Sequence, residues 1–218
     1  MKTHTVKLLL ALGLALGATG GQAASYSGEI DIDPALYSGS LNTPFLLDFQ
    51  LNSGGGATPV SNSVTISNIS FSGSGTPGPT GSATVSGSVV GDLSSSVSLF
   101  DSAANPYSEL FQSFSIGTTK ISFNIDTTDN VNASAPDLFA VALLDSSAGN
   151  PQLLTTAPDT VSFITLSFSN PAQIAAYSGA DTASGVTSSV SAVPVPAAVW
   201  LFGSALAGMG LFGRRKPV

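Results

Sequence analysis

The stretch PFLLDFQLN sets Phe45, Leu47, Phe49 and Leu51 at every second position, with Asp48 and Gln50 between them. A period of two belongs to a strand with one buried face and one wet face, whereas a helix repeats its apolar positions every three or four residues. KISFNID has the same pattern: Ile121, Phe123 and Ile125 alternate with Lys120, Ser122, Asn124 and Asp126. SVTISNISF alternates through Val64 and Ile66 and then changes phase to Ile69 and Phe71, which predicts a bulge near Asn68. ATVSGSVVG, SSVSLFD, LFQSFSIG, DLFAVALLD and TVSFITLSFS are further strand candidates. The last two are apolar on both faces, as central strands are.

Turn residues separate these runs. They fall at Gly54 to Gly56, in GSGTPGPTG, in DTTDNVNASAPD and at the Asn-Pro pairs beginning at Asn105, Asn150 and Asn170. ALYSG, PYSELFQ and PAQIAAYSG suggest short helices. Roughly nine or ten short strands at regular intervals predict an all-β, antiparallel β-sandwich. A jelly roll is the first expectation within that class and a Greek-key sandwich of immunoglobulin type the second. Residues 179–192, GADTASGVTSSVSA, lack large apolar side chains apart from two valines and read as a flexible linker.

The two ends differ from this body. Lys2 and Lys7 precede an apolar run, Leu8 to Leu16, and then small residues through Ala24. That order predicts a signal peptide over residues 1–23, with a signal helix and cleavage at Ala23 or Ala24. The β-sandwich ectodomain is expected over 24–178. With the ends set aside, Lys120 is the single cation against all 13 acidic residues. So acidic a body repels nucleic acid and anionic surfaces. The chain has no cysteine, so no disulfide staples an exported domain and the core must supply its stability.

From Ala197 to Gly213 no residue is charged, and as a helix this stretch is about 25 Å long, short but sufficient for a thin bilayer. Trp200 lies near one end, and Arg214, Arg215 and Lys216 follow the other. Cations stay cytoplasmic, so a transmembrane helix here leaves the preceding domain outside. Just upstream come Val193, Pro194, Val195, Pro196 and Ala197. Two prolines two residues apart keep the backbone extended and open to a protease.

This order of Val-Pro-x-Pro, apolar helix and basic cluster resembles the PEP-CTERM sorting signal of Gram-negative bacteria, in its VPxPA variant. The resemblance covers residues 193–218. It implies that an exosortase, a multi-spanning membrane cysteine transpeptidase, recognises the tail, cuts near the proline pair and releases or transfers the domain. Val195 stands where the commoner motif has glutamate. The family is linked to exopolysaccharide and biofilm, and the body is similar to β-rich domains that carry such tails. The implied partners are the exosortase, the secretion translocon, signal peptidase and extracellular polysaccharide. The implied route runs from an inner-membrane intermediate to the cell surface or matrix.

Catalysis has little to draw on. His4 is the single histidine and falls in the signal peptide, so His- or Cys-based triads and zinc sites are excluded from the mature domain. Glu29, Asp31 and Asp33 alternate on one strand face, the residue type a glycosidase needs, but a solvated strand face accounts for them equally. The expected function is a non-enzymatic surface or matrix protein without a required cofactor. The alternative is a carbohydrate-binding module. DTTDNVN gathers Asp126, Asp129, Asn130 and Asn132, hard oxygen donors suited to calcium, although the spacing is not that of an EF-hand and Asx turns form without metal.

Overall fold

The computed structural model describes residues 24–39, 43–54, 61–79, 81–102, 104–128, 137–147, 164–167, 174–176 and 185–193, with 164–167 and 174–176 described by backbone alone. The strands are β1 (Ala24–Ile32), β2 (Leu46–Asn52), β3 (Ser63–Gly73), β4 (Thr84–Ser86), β5 (Ser88–Gly91) and β6 (Val97–Phe100). They continue with β7 (Tyr107–Ser113), β8 (Thr118–Thr127), β9 (Leu138–Leu144), β10 (Ile164–Ser167), β11 (Ile174–Ala176) and β12 (Val186–Ala192). One six-stranded sheet runs β12-β1-β8-β3-β6-β5 and the other β11-β10-β9-β2-β7-β4. Every strand pairing is antiparallel. The chain changes sheet after β1, β2, β3, β4, β6, β7, β8 and β11, so most sequence neighbours face each other across the sandwich.

The period-two pattern makes this seam. Phe45, Leu47, Phe49 and Leu51 are fully buried from the β2 side, and Val64, Ile66, Ile121 and Ile125 from the facing sheet. Phe49 meets Phe123 of the opposite sheet edge-on, with ring centroids 5.7 Å apart, and stacks on Phe139 of its own sheet at 6.3 Å. Both geometries suit aromatic quadrupoles.

The phase change in SVTISNISF is a bulge: the β3–β8 register shifts between Ser67 and Ser70, and Asn68 takes a positive φ of 53°. β9 is central, between β2 and β10, and its side chains from Phe139 to Leu144 are buried on both faces. ATVSGSVVG is not one strand but two, β4 and β5, in different sheets. The chain turns at Gly87, whose φ is 74° and where a Cβ would meet the Tyr107 carbonyl oxygen at 2.0 Å. A side chain there is excluded by both conformation and space.

Three expectations need correction. PYSELFQ is strand β7, because Ser108, Leu110 and Gln112 point inward between β2 and β4, a pairing that overrides local helix preference. PAQIAAYSG contributes β11 rather than a helix. The linker expected over 179–192 is a strand from Val186 onward: β12 pairs with β1 from Tyr26↔Ala192 to Ile32↔Val186, with Val186 fully buried. The sandwich therefore extends past the predicted boundary at 178. ALYSG does form a short 3-10 helix, Pro34–Ser38, capped by an Asp33 carboxylate oxygen that accepts from the Ala35 N–H at 2.8 Å.

Replacing Phe49 by alanine should cost about 3–5 kcal/mol of unfolding free energy, because it removes both aromatic contacts and leaves a cavity in the seam. Denaturant unfolding checks this, and a loss under about 1 kcal/mol would mean that the seam does not depend on this ring.

Candidate functional site

The β1–β12 edge joins the two predicted processing points. Ala24, at the expected signal cleavage, is the first residue of β1, and Val193, the first residue of the proline motif, directly follows β12. The Val193 N–H donates to the Ser25 carbonyl at 2.8 Å, and Val193 is 44% exposed. Both points thus lie at one end of the sandwich. Ala23, Pro194, Val195, Pro196, Ala197, Trp200, Arg214, Arg215 and Lys216 lie outside the described residues, as do the predicted signal helix and transmembrane helix. Among the described residues no helix is long and apolar enough to cross a membrane.

The carboxylates singled out from the sequence have separate tasks. Lys120 Nζ lies 3.2 Å from Glu29 and 3.4 Å from Asp31 on the outer face of the β1 sheet, while Asp33 caps the 3-10 helix. Asp126 accepts a hydrogen bond from the Ser25 hydroxyl at 2.5 Å. Its partners in the calcium reading, Asp129, Asn130 and Asn132, lie outside the described residues, and no group of three or more His, Cys, Asp or Glu suited to a metal occurs among the described ones. Tyr26 is buried and Tyr37 is half-buried, its hydroxyl donating to the Thr118 carbonyl at 2.7 Å. Neither offers a flat aromatic platform for a sugar.

Two acidic groups were not legible as clusters in the sequence. On the outer face of β2, where the alternation predicts a wet side, Asp48 is only 1% exposed. The Gln50 amide donates to Asp48 at 2.6 Å and to Glu109 at 3.2 Å, bridging the two carboxyls across the β2–β7 pairing. The other Asp48 oxygen, Oδ1, is buried without a partner. Burial, with the nearby Glu109 charge, pushes the Asp48 carboxyl up to about 7, against the Gln50 bond that favours its ionised form.

The second group lies at the end of the sandwich where β1 begins. There Asn62, just before β3, donates its backbone N–H to Asp101 and its side-chain amide to Asp137, both at 2.5 Å. Asn62 Oδ1 accepts from the Thr128 hydroxyl at 2.9 Å, and the Gly54 N–H donates to Asp137 at 2.9 Å. These residues flank strand ends in loops, where no periodicity marks them. Gln112 is different: it occupies the inward phase set by Leu110 and Phe114, accepts from the Leu93 N–H at 2.9 Å and donates to the Pro79 carbonyl at 3.2 Å. That phase was the available signal.

No family model, curated protein or solved structure matches the chain.

The Asp48 carboxyl gives a pH dependence of defined sign. Its folded pKa is raised, so the folded state binds more protons than the unfolded chain between about 4 and 7, and its contribution to stability falls as pH rises through that window. Asp48→Asn should flatten this fall and leave the variant more stable relative to wild type at pH 7.5 than at pH 4, by up to a few kcal/mol. Paired denaturation curves at the two pH values test it; an unchanged difference would show that the burial of Asp48 does not set its ionisation.

Proposed function

We propose that this chain is an exported, non-enzymatic surface or matrix protein whose C-terminal tail is a sorting signal cut by an exosortase-type membrane transpeptidase. The carrying observation is the junction at Val193, which is hydrogen-bonded to β1, is the last described residue and is also the first of the motif. Pro194 and Pro196 follow at once, and two prolines two residues apart favour an extended segment that a protease can bind. Folded domain and extended substrate thus meet at one residue, and an enzyme binding the motif works against the end of the sandwich rather than on a long free tether.

The proposed route begins with the secretion translocon and signal peptidase, which frees Ala24 to begin β1. The apolar segment 197–213 and the cations Arg214, Arg215 and Lys216 then hold the domain on the outer side of the inner membrane. Cutting near the proline pair sends the domain to the cell surface or matrix, where extracellular polysaccharide is the proposed neighbour. We also infer that the sandwich is a jelly roll. Support comes from nested pairings, β1 with β8, β2 with β7 and β3 with β6, which are those of a folded-over antiparallel ribbon. β5 departs from that scheme by pairing with β6 at the edge of the first sheet.

Changing Pro194 and Pro196 together to alanine in the natural host should make the uncut chain accumulate in the inner-membrane fraction and deplete the surface or released form. Equal processing of the variant and the wild type would remove the proline pair from the account.

A further inference from the structure

The Asp101–Asp137 pair is short of one positive partner. Asp101 is 3% exposed and Asp137 is 2% exposed, and Asn62 holds both. Three of the four carboxylate oxygens accept N–H groups: Asp101 Oδ1 from Asn62, Asp137 Oδ2 from the Asn62 amide, and Asp137 Oδ1 from Gly54. The fourth, Asp101 Oδ2, is buried without a partner, and the Asp101 carboxyl lies within hydrogen-bonding reach of Asp137. Two ionised carboxylates in such contact repel, and the interior does not screen them. Among the described residues the one cation, Lys120, is committed to Glu29 and Asp31, which leaves the pair open to neutralisation from solution.

We propose that Asp101 and Asp137 bind a divalent cation of the calcium class, with the unpartnered Asp101 oxygen as the primary donor. The donors are hard carboxylate oxygens, which calcium takes in flexible geometry and supplements with water or backbone carbonyls. Two protein carboxylates make a weak site, with a dissociation constant on the order of 10⁻⁴–10⁻³ M, the range of extracellular modules. The pair stands where described residues of three connections meet: Gly54 and Asn62 between β2 and β3, Asp101 between β6 and β7, and Thr128 and Asp137 between β8 and β9. Thr127, beside Thr128 of this network, pairs with Ala24 and donates to its carbonyl at 3.3 Å. The ion therefore ties together the loops at the end of the sandwich from which the tail leaves. The residues of this site are not those of the sequence-derived set, Asp126, Asp129, Asn130 and Asn132, and its existence does not depend on how the tail is processed.

The test is thermal unfolding of the full-length chain in detergent at pH 7.5, in chelator and in calcium at about ten times the dissociation constant. Wild type should gain about 3 °C, and Asp101→Asn and Asp137→Asn should gain nothing, while Asp126→Asn keeps the full gain. In wild type, NMR should show saturable calcium shifts at the Asn62 and Gly54 amides, a readout that survives if either variant fails to fold. No calcium response in wild type, a response retained in both pair variants, or shifts confined to Asp126 would overturn the proposal. In the first case a shared proton neutralises the pair.

Discussion

Phe49 lies edge-on to Phe123 and stacked on Phe139, and through contacts of this kind two thin sheets become one body. The chain offers few other ways to hold itself together. It has no cysteine, and among the described residues its ion pairs are those of Lys120 with Glu29 and Asp31. Those pairs are exposed to solvent, where such contacts contribute little. Stability rests on the apolar seam, and the alternation of strands between sheets makes each crossing turn part of that seam. Gly87 shows how tightly the crossings are drawn, because a single methyl group there would collide with the backbone of β7.

An acidic body with one cation has a second constraint to meet. Carboxylates left in solvent are harmless, but Asp48, Asp101 and Asp137 are buried. Their neighbours are amides rather than cations: Gln50 between Asp48 and Glu109, Asn62 between Asp101 and Asp137. A neutral amide orients two carboxyls without cancelling their charge.

Much of the fold was legible because burial on a sheet has period two. Phe45 to Leu51, Val64, Ile66 and Ile121 to Ile125 gave their own facing, and the phase slip after Ile66 gave the bulge at Asn68. Less was legible where polar residues take inward positions. Ser108 gave the start of β7 a helical-looking local sequence, although LFQSFSIG marked its second half as strand, and the Ser- and Thr-rich VTSSVSA hid β12, because one of its side chains, Val186, is fully buried and the rest of the strand is held by pairing to β1. The acid pair was illegible for another reason: Asn62, Asp101 and Asp137 are far apart in sequence and are assembled by three separate loops.

The status of β12 decides how the tail is presented. If Val186–Ala192 is a strand, the proline motif begins at the edge of a folded sheet, and the proposed processing enzyme meets the sandwich itself. If the segment is a tether, the motif is remote from the domain. Hydrogen exchange on the full-length chain separates the two most directly. The account predicts that the ladder amides of residues 186–192 exchange slowly, with protection comparable to their partners in β1. Exchange at the rate of a free chain across 186–192, with β1 still protected by β8, would contradict it.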